Sequence, residues 1–226
     1  MAGSRLNSPV FELAAALIEC PSITPDDAGC QQLLADRLRA AGMEATALRF
    51  GDVDNLFATH GAGEPHLLLL GHTVVVPPGP SDAWASPPFQ AIERDGFLYG
   101  RGAADMKSSV AAFVIAVERF LAEHAGHPGR LSVLLTSDEE GVAADGVRKV
   151  VPWLESRDLL PGYVLVGEPS SSERLGDVIR IGRRGSIQAR LTVRGRQGHT
   201  AYADPADNPV HRVAPVLAEL TALAFD

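Results

Sequence analysis

A single histidine, His72, follows an apolar run in the stretch LLLLGHTVVVPPG, which covers residues 67–79. Glutamates follow two further apolar runs in the same way: Glu139 and Glu140 come after LSVLLTS, and Glu168 comes after YVLVG. Continuous apolar runs of this kind are typical of strands buried on both faces of a parallel sheet. Ligands of open α/β sheets bind beyond the carboxyl ends of the strands, so these side chains are predicted to converge there.

Asp105 is a further candidate, because it lies in the Gly/Ala-rich turn of YGRGAADMK, directly before a predicted helix. Each candidate also has an ordinary structural interpretation. Asp105 could cap the helix that begins at Met106, His72 could be a structural histidine, and the glutamates could be solvated turn residues. The combination favours a functional site, since burying several carboxylates together is costly unless a cation neutralises them.

Imidazole and carboxylate groups together are typical ligands of zinc or a neighbouring first-row ion. More than two carboxylates would also allow one of them to bridge two metal ions, as in many aminopeptidases. The adjacent Glu139 and Glu140 then divide the work, because one binds metal while the other accepts a proton from water. These residues predict a metal-dependent hydrolase that acts on an amide bond.

Strands and helices alternate along most of the chain, which predicts an α/β fold with a mostly parallel sheet flanked by helices. Hydrophobic periodicity and turn residues place the elements. Helices are predicted from Ser8-Pro9 to before Pro21, over about 28–41, over 106–124 and in VRKVVPWLES, and strands in EATALRF, NLFATH, HLLLLGH, LSVLLTS and YVLVGE.

The pattern changes after Gly182. SIQARLTVRG alternates as a half-exposed antiparallel strand does, and a final helix is predicted from about Asn208 to Leu223. One strand and one helix bury too little apolar surface to be stable alone. We therefore predict a catalytic domain over residues 1–181 and the start of a smaller α+β lid or dimerisation domain over 182–226.

Composition narrows the class of protein. A net charge of -8 argues against a nucleic-acid-binding surface and favours a small-molecule substrate. Cys20 and Cys30 are too few for a disulfide framework, which predicts a reducing compartment. Neither an export signal nor an apolar run long enough to span a membrane is evident, so a cytoplasmic protein without membrane contact is expected.

Several motifs extend the metal-site hypothesis over most of the chain. They are PSITPDDAGCQ, FGDVDNLFA, GHTVVVPPG, DGFLYGRGAADMK, TSDEEG, GEPSSSERLGDVIRIGRRGS and GRQGHTAY. Together they resemble the zinc-dependent deacylase and exopeptidase family that includes aminoacylase, acetylornithine deacetylase and succinyl-diaminopimelate desuccinylase, most closely the desuccinylase branch. The resemblance implies hydrolysis of N-succinyl-LL-2,6-diaminopimelate in lysine biosynthesis, with another N-acyl amino acid such as acetylornithine as the alternative substrate.

The resemblance also implies two zinc ions per subunit, with cobalt as a possible substitute, in a homodimer. Carried over by position, it implies that His72 and Glu168 bind one zinc ion, that Asp105 bridges, and that Glu140 binds the second. Glu139 would be the general base. These assignments are expectations from the motifs GHTVVVPPG, GAADMK, TSDEEG and GEPS.

Further positions bear on the substrate. His199 in GRQGHTAY resembles a lid histidine that stabilises the oxyanion in the partner subunit's active site; an ordinary loop histidine is the alternative. Arg183, Arg184 and Ser186 fall where the family holds substrate carboxylates, which suits the planar guanidinium. For the arginines, a solvated basic turn is the alternative.

Two departures from the family's pattern concern this chain. The family reads His-Thr-Asp where this sequence has Val74, so His72 is predicted to lack the carboxylate that orients its ring. Such a loss typically costs about 10- to 100-fold in metal affinity or activity, and Val74→Asp in a full-length chain should then raise hydrolysis sharply. The family also supplies a further zinc-binding histidine beyond the lid. A C-terminally truncated chain is therefore expected, and a non-catalytic metal-binding or dimerising fragment is a third interpretation.

Overall fold

The structure is a computed structural model, and it describes residues 8–182, 189–199, 201 and 206–224. The chain divides into two compact units, Met1–Val178 and Ile179–Asp226. Their assignment as catalytic and lid domains stays a prediction. The first unit is a five-stranded sheet flanked by helices, which confirms the predicted α/β class.

The helices and the five strands of the main sheet lie close to their predicted positions. The helices are α1 (Pro9–Glu19), α2 (Cys30–Ala40), α3 (Ser108–Glu123) and α4 (Val147–Glu155), and the strands are β1 (Glu44–Phe50), β2 (Val53–Ala62), β3 (His66–His72), β4 (Ile92–Arg94), β5 (Phe97–Tyr99), β6 (Gly129–Thr136) and β7 (Tyr163–Val166). The short strands β4 and β5 were not predicted. Helix α2 begins at Cys30 because Gly29 before it has a left-handed φ of 85°.

The strand order of the main sheet is β1-β2-β6-β3-β7, and β4 pairs with β5 in a separate hairpin. Strand β2 is antiparallel to β1 and β6, whereas β3 is parallel to β6 and β7. The sheet is therefore mixed. Its parallel half consists of the three strands from which the sequence predicts the metal ligands to emerge.

Apolar packing on both faces of the sheet fixes the central strand β6. Val133 and Leu135 pack into the larger core with α1, α2 and α3, while Leu134 packs into a second cluster with Phe57 and with Leu154 of α4. Each fully buried side chain of this size stabilises the fold by about 1.5–3 kcal/mol. Packing on both faces therefore holds strand β6, and with it the carboxyl end of the strand, in a fixed position.

Strand β7 departs from the prediction of a buried strand. Its four side chains are 48% to 65% exposed, although the run YVLV is entirely apolar or aromatic. Strand β7 lies at the end of the strand order, where it pairs with β3, and none of its residues belongs to either apolar cluster. Composition indicates a strand, but the place of that strand in the sheet decides its burial.

A buried histidine at the start of β3 gives a pH-dependent stability. His66 hydrogen-bonds through Nε2 to Ser132 Oγ at 2.9 Å, and burial, together with the charge of Arg130, lowers its pKa. The unfolded chain therefore takes up a proton first as the pH falls below about 6.5, and stability is lost as the pH falls towards the lowered pKa of the folded state.

We expect His66→Gln to flatten the dependence of the unfolding free energy on pH in that range. One proton can change the slope by at most about 1.4 kcal/mol per pH unit. Urea unfolding of both proteins at several pH values between 5 and 7.5 measures the slope. Equal slopes for the two proteins would show that His66 does not titrate differently on folding.

The second unit contains the predicted C-terminal helix, α5 (Pro209–Ala222). Asn208 caps it, since its side-chain oxygen accepts a hydrogen bond from the Val210 amide at 3.0 Å. The strand predicted in SIQARLTVRG lies partly outside the described residues. Its described part, 189–195, is not a strand, and the backbone pairing next to it is an isolated bridge between Arg196 and Asp207.

The described residues contain no helix that is both long and apolar enough to cross a membrane.

Candidate metal centre

The parallel strands β3, β6 and β7 bring three segments to one edge of the sheet. His72 is the last residue of β3 and lies opposite Thr136, the last residue of β6. Beyond β7, the Gly167 amide donates to Leu70 O at 3.1 Å, which keeps the chain beside β3 up to Glu168. The predicted convergence of strand ends is therefore observed.

His72 lies at the centre of the resulting cluster, with its side chain 1% exposed. Its Nε2 atom is 3.0 Å from Asp105 Oδ1, 3.6 Å from Glu168 Oε1 and 3.9 Å from Glu139 Oε2. Two groups share this histidine: one with Asp105 and Glu168, the other with Glu139 and Glu140. Within each group, one possible ligand atom per side chain lies within 4.8 Å of the others.

Asp105 does not cap the following helix. Helix α3 begins at Ser108, and no side-chain cap is present at its N-cap residue, Lys107. Asp105 instead has an extended backbone (φ -123°, ψ 100°) within the turn Ala103–Lys107, and its peptide bond to Met106 is cis. Its Oδ1 atom lies 3.0 Å from His72 Nε2, and this contact favours the functional interpretation.

The loop after β6 carries three consecutive acidic residues, of which the first, Asp138, has a structural role and the other two reach the cluster around His72. Asp138 is 4% exposed, and its Oδ2 atom accepts hydrogen bonds from the amides of Ala144 at 2.7 Å and Asp145 at 3.0 Å. It thereby closes its own loop. Glu139 and Glu140 remain directed towards His72.

The electrostatics of the cluster favour a cation. Burial raises the pKa of Glu140, and the carboxylates of Asp105 and Glu139 act in the same direction. His72 and Arg101 oppose this rise. An added divalent cation would relieve the mutual repulsion of the carboxylates, and imidazole with carboxylate oxygens is a donor set that zinc accepts. The residues present therefore fit a zinc site.

The sequence predicts that His72 lacks the carboxylate that orients its ring, but in the structure the ring has a main-chain hydrogen-bond partner instead. Its Nδ1 atom lies 2.8 Å from the main-chain carbonyl oxygen of Val74. A carbonyl can only accept, so Nδ1 carries the hydrogen and, in the neutral ring, Nε2 keeps its lone pair on the side of the carboxylates. The valine side chain cannot accept a hydrogen bond, but the main chain of the same residue does.

The other residues predicted to take part in the site come after strand β7 in the sequence. His199 belongs to the second unit, where it is exposed and its Nδ1 accepts a hydrogen bond from the Ala201 amide at 3.1 Å. Arg183, Arg184 and Ser186 lie outside the described residues. The roles of all four stay predictions.

Sequence reasoning missed a set of buried polar residues behind His72: Ser22, Asp27, Gln31 and Thr73. The motif PSITPDDAGCQ contains three of them, but nothing in its spacing indicates what they contact. Asp27 hydrogen-bonds to Thr73, which is 46 residues away in the chain. Such a partner can be recognised only once the fold is known.

The sequence profile of peptidase family M20/M25/M40 matches residues 68–223, which is more than half of the chain. The chain belongs to this family. The match begins within β3 and includes every residue of the cluster around His72. Membership of a peptidase family agrees with the hydrolytic chemistry predicted from these residues.

Two curated relatives of this M20/M25/M40 chain are named succinyl-diaminopimelate desuccinylase. The protein from Stenotrophomonas maltophilia is 59% identical over 219 residues, and that from Xylella fastidiosa is 60% identical over 219 residues. Each alignment covers 97% of this chain and 58% of the relative. The chain therefore spans a little over half the length of these relatives.

Two solved structures share the fold. An M20 family metallo-carboxypeptidase from Sulfolobus solfataricus superposes with a TM-score of 0.65 at 18% identity, over 72% of this chain and 38% of that one. Human carnosine dipeptidase 1 gives a TM-score of 0.61 at 22% identity over the same shares. These similarities confirm the α/β fold of the M20/M25/M40 chain.

Proposed function

We propose that this chain carries the metal-binding and catalytic residues of a hydrolase that converts N-succinyl-LL-2,6-diaminopimelate to succinate and LL-2,6-diaminopimelate. The observation that carries the proposal is the cluster in which His72 is shared by two groups of carboxylates. The names of the relatives at 59% and 60% identity support the substrate.

We propose that two zinc ions bind here, with cobalt as a substitute. His72 and Glu168 would hold one ion, Glu140 the other, and Asp105 both. Their contacts and the raised pKa of Glu140 support this arrangement. Zinc supplies Lewis acidity, which polarises the amide carbonyl and makes water a better nucleophile near neutral pH.

Glu139 is proposed as the general base. Its side chain is 46% exposed, so it can meet water and substrate, and its Oε2 lies 3.9 Å from His72 Nε2, at the edge of the ligand cluster. It would accept a proton from the attacking water and pass it to the leaving amine as the amide C–N bond breaks. Glu140, beside it in the sequence, is less exposed and is proposed as a ligand.

Substrate recognition and assembly are proposed from the motifs alone. Arg183, Arg184 and Ser186 would hold substrate carboxylates, because a guanidinium group binds a carboxylate through two parallel hydrogen bonds. His199 would stabilise the oxyanion in the active site of a partner subunit. A homodimer and a cytoplasmic location complete the proposal.

Hydrolysis of two amides by the zinc-loaded chain tests the proposed activity. We expect release of free amine from N-succinyl-LL-2,6-diaminopimelate, at a kcat/KM at least about 100-fold above that for N-acetyl-L-ornithine, because a site that binds the succinyl carboxylate leaves its polar groups unpaired without it. A preference for the acetyl substrate would contradict the proposed substrate. Zinc binding without hydrolysis of either amide would show that this chain is a non-catalytic fragment that binds metal.

A further inference from the structure

The three residues after β3 are fixed by buried main-chain hydrogen bonds on both sides of Val74. The Thr73 amide donates to Thr136 O at 3.1 Å, and Ser22 Oγ donates to Thr73 O at 2.7 Å. The Val75 amide then donates to Ser22 O at 2.8 Å. The peptide units flanking Val74 therefore have little freedom to rotate, and the direction of its carbonyl is set by the fold.

The side chain of Thr73 adds a second restraint. Its hydroxyl donates a hydrogen bond to Asp27 Oδ1. The Asp27 Oδ2 atom accepts a hydrogen bond from the main-chain N–H of Gln31, in the first turn of α2, at 2.8 Å. The Gln31 side chain donates to Asp54 O at 2.9 Å and lies 3.4 Å from Thr73 Oγ1. Thr73 is thereby linked to helix α2 and to strand β2.

Every side chain of this network is buried. Ser22 and Thr73 are 0% and 1% exposed, and Asp27 is 6% exposed. Burial raises the pKa of Asp27, and the hydrogen bonds from Thr73 and Gln31 act in the opposite direction. A buried polar network with satisfied partners restricts a structure to one arrangement. Here that arrangement includes the carbonyl that faces His72.

We propose that the main-chain carbonyl of Val74 is the orienting partner of the metal ligand His72, and that Ser22, Asp27 and Thr73 are positioning residues that act through it. The network holds the carbonyl against Nδ1, which fixes the ring direction and leaves Nε2 available to a cation. This inference rests on the proposed zinc site. It explains how a chain with valine at position 74 keeps an oriented histidine.

The direct test is the zinc affinity of a matched pair of variants, Thr73→Val and Thr73→Ser, measured by competition with a chromophoric chelator. Thr73→Val keeps the size of the side chain but removes the hydroxyl, whereas Thr73→Ser keeps the hydroxyl. Loss of an outer-shell partner typically weakens metal binding about 10- to 100-fold. We expect a loss of at least about 10-fold for Thr73→Val and less than about 3-fold for Thr73→Ser.

A second readout follows the coordination itself. The visible absorption spectrum of the Co²⁺-loaded protein reports ligand geometry, so Thr73→Val should change it and Thr73→Ser should restore it. Ser132→Ala is the matched control, because Ser132 is also a fully buried hydroxyl whose partners are His66 and Thr59 rather than the segment after β3. It should lower the melting temperature without changing the zinc affinity or the cobalt spectrum.

The outcomes separate the inference from the proposed site. Failure of the unmodified chain to bind zinc would overturn both. Equal zinc affinities of Thr73→Val and the unmodified chain would overturn the inference alone. A gain of 10-fold or more in zinc affinity for Val74→Asp would also overturn it, because the site would then still need a side-chain carboxylate. We expect a change of less than about 3-fold.

Discussion

Replacing Glu139 by Gln should lower the rate of amide hydrolysis by about 10²- to 10⁴-fold while zinc remains bound. The carboxylate at this position is 46% exposed and 3.9 Å from His72 Nε2, so its loss removes a proton acceptor without opening the buried part of the cluster. The amide keeps the size of the side chain but cannot take up the proton of the attacking water. Turnover assays and zinc content on the same preparation measure both effects.

The adjacent residue provides the control for this prediction. Glu140→Gln should lower zinc content first, and activity as a consequence, because Glu140 is proposed as a ligand and its pKa is raised by burial within the cluster. If Glu139→Gln releases zinc while Glu140→Gln retains it, the two roles are reversed. A Glu139→Gln protein with unchanged turnover would exclude Glu139 as the base.

His72→Ala should abolish measurable zinc binding, with an affinity loss of more than about 100-fold. The reason is that His72 belongs to both groups of possible ligands, so its loss removes a ligand from each of them. Its side chain is 1% exposed, and its Nε2 faces three carboxylates that would remain without the imidazole. Isothermal titration with zinc, on protein stripped of metal, measures the loss.

Strand β3 offers a matched control for this variant, because its first residue is also a buried histidine. His66→Ala removes an imidazole that is 3% exposed, at the opposite end of the strand. Both variants should lose stability, since each leaves polar groups without partners at a cost of about 1–3 kcal/mol. Only His72→Ala should lose zinc. Equal loss of zinc in both would mean that the effect comes from destabilisation of the strand.

The candidate site could be predicted from the sequence because polar residues follow apolar runs at strand ends. This pattern is local, and it identified His72, Glu139, Glu140 and Glu168 without reference to the fold. Asp105 was identified by its place in a turn of small residues. Whether it caps a helix or faces His72 could be decided only from the structure of the turn Ala103–Lys107.

The burial of individual strands could not be predicted in the same way. The runs LSVLLTS and YVLVG are equally apolar, yet β6 is buried and β7 is 48% to 65% exposed. The packing on the faces of the sheet determines this difference, because β6 contributes side chains to both apolar clusters, whereas β7, at the end of the strand order, contributes to neither. Hydrophobicity indicates that a strand can be buried, whereas topology decides whether it is.

The sequence by itself determined the α/β class, the bounds of most helices and strands, and the residues that gather at the carboxyl edge of the sheet. It did so because hydrophobic periodicity and strand-end polarity are local properties of the chain. Only the tertiary structure decided what orients His72. Every residue carries a main-chain carbonyl, so no sequence pattern marks the one at Val74, and its direction depends on hydrogen bonds to Ser22 and to residues of other elements. Val74 is read from the sequence as a missing carboxylate and from the fold as a hydrogen-bond acceptor.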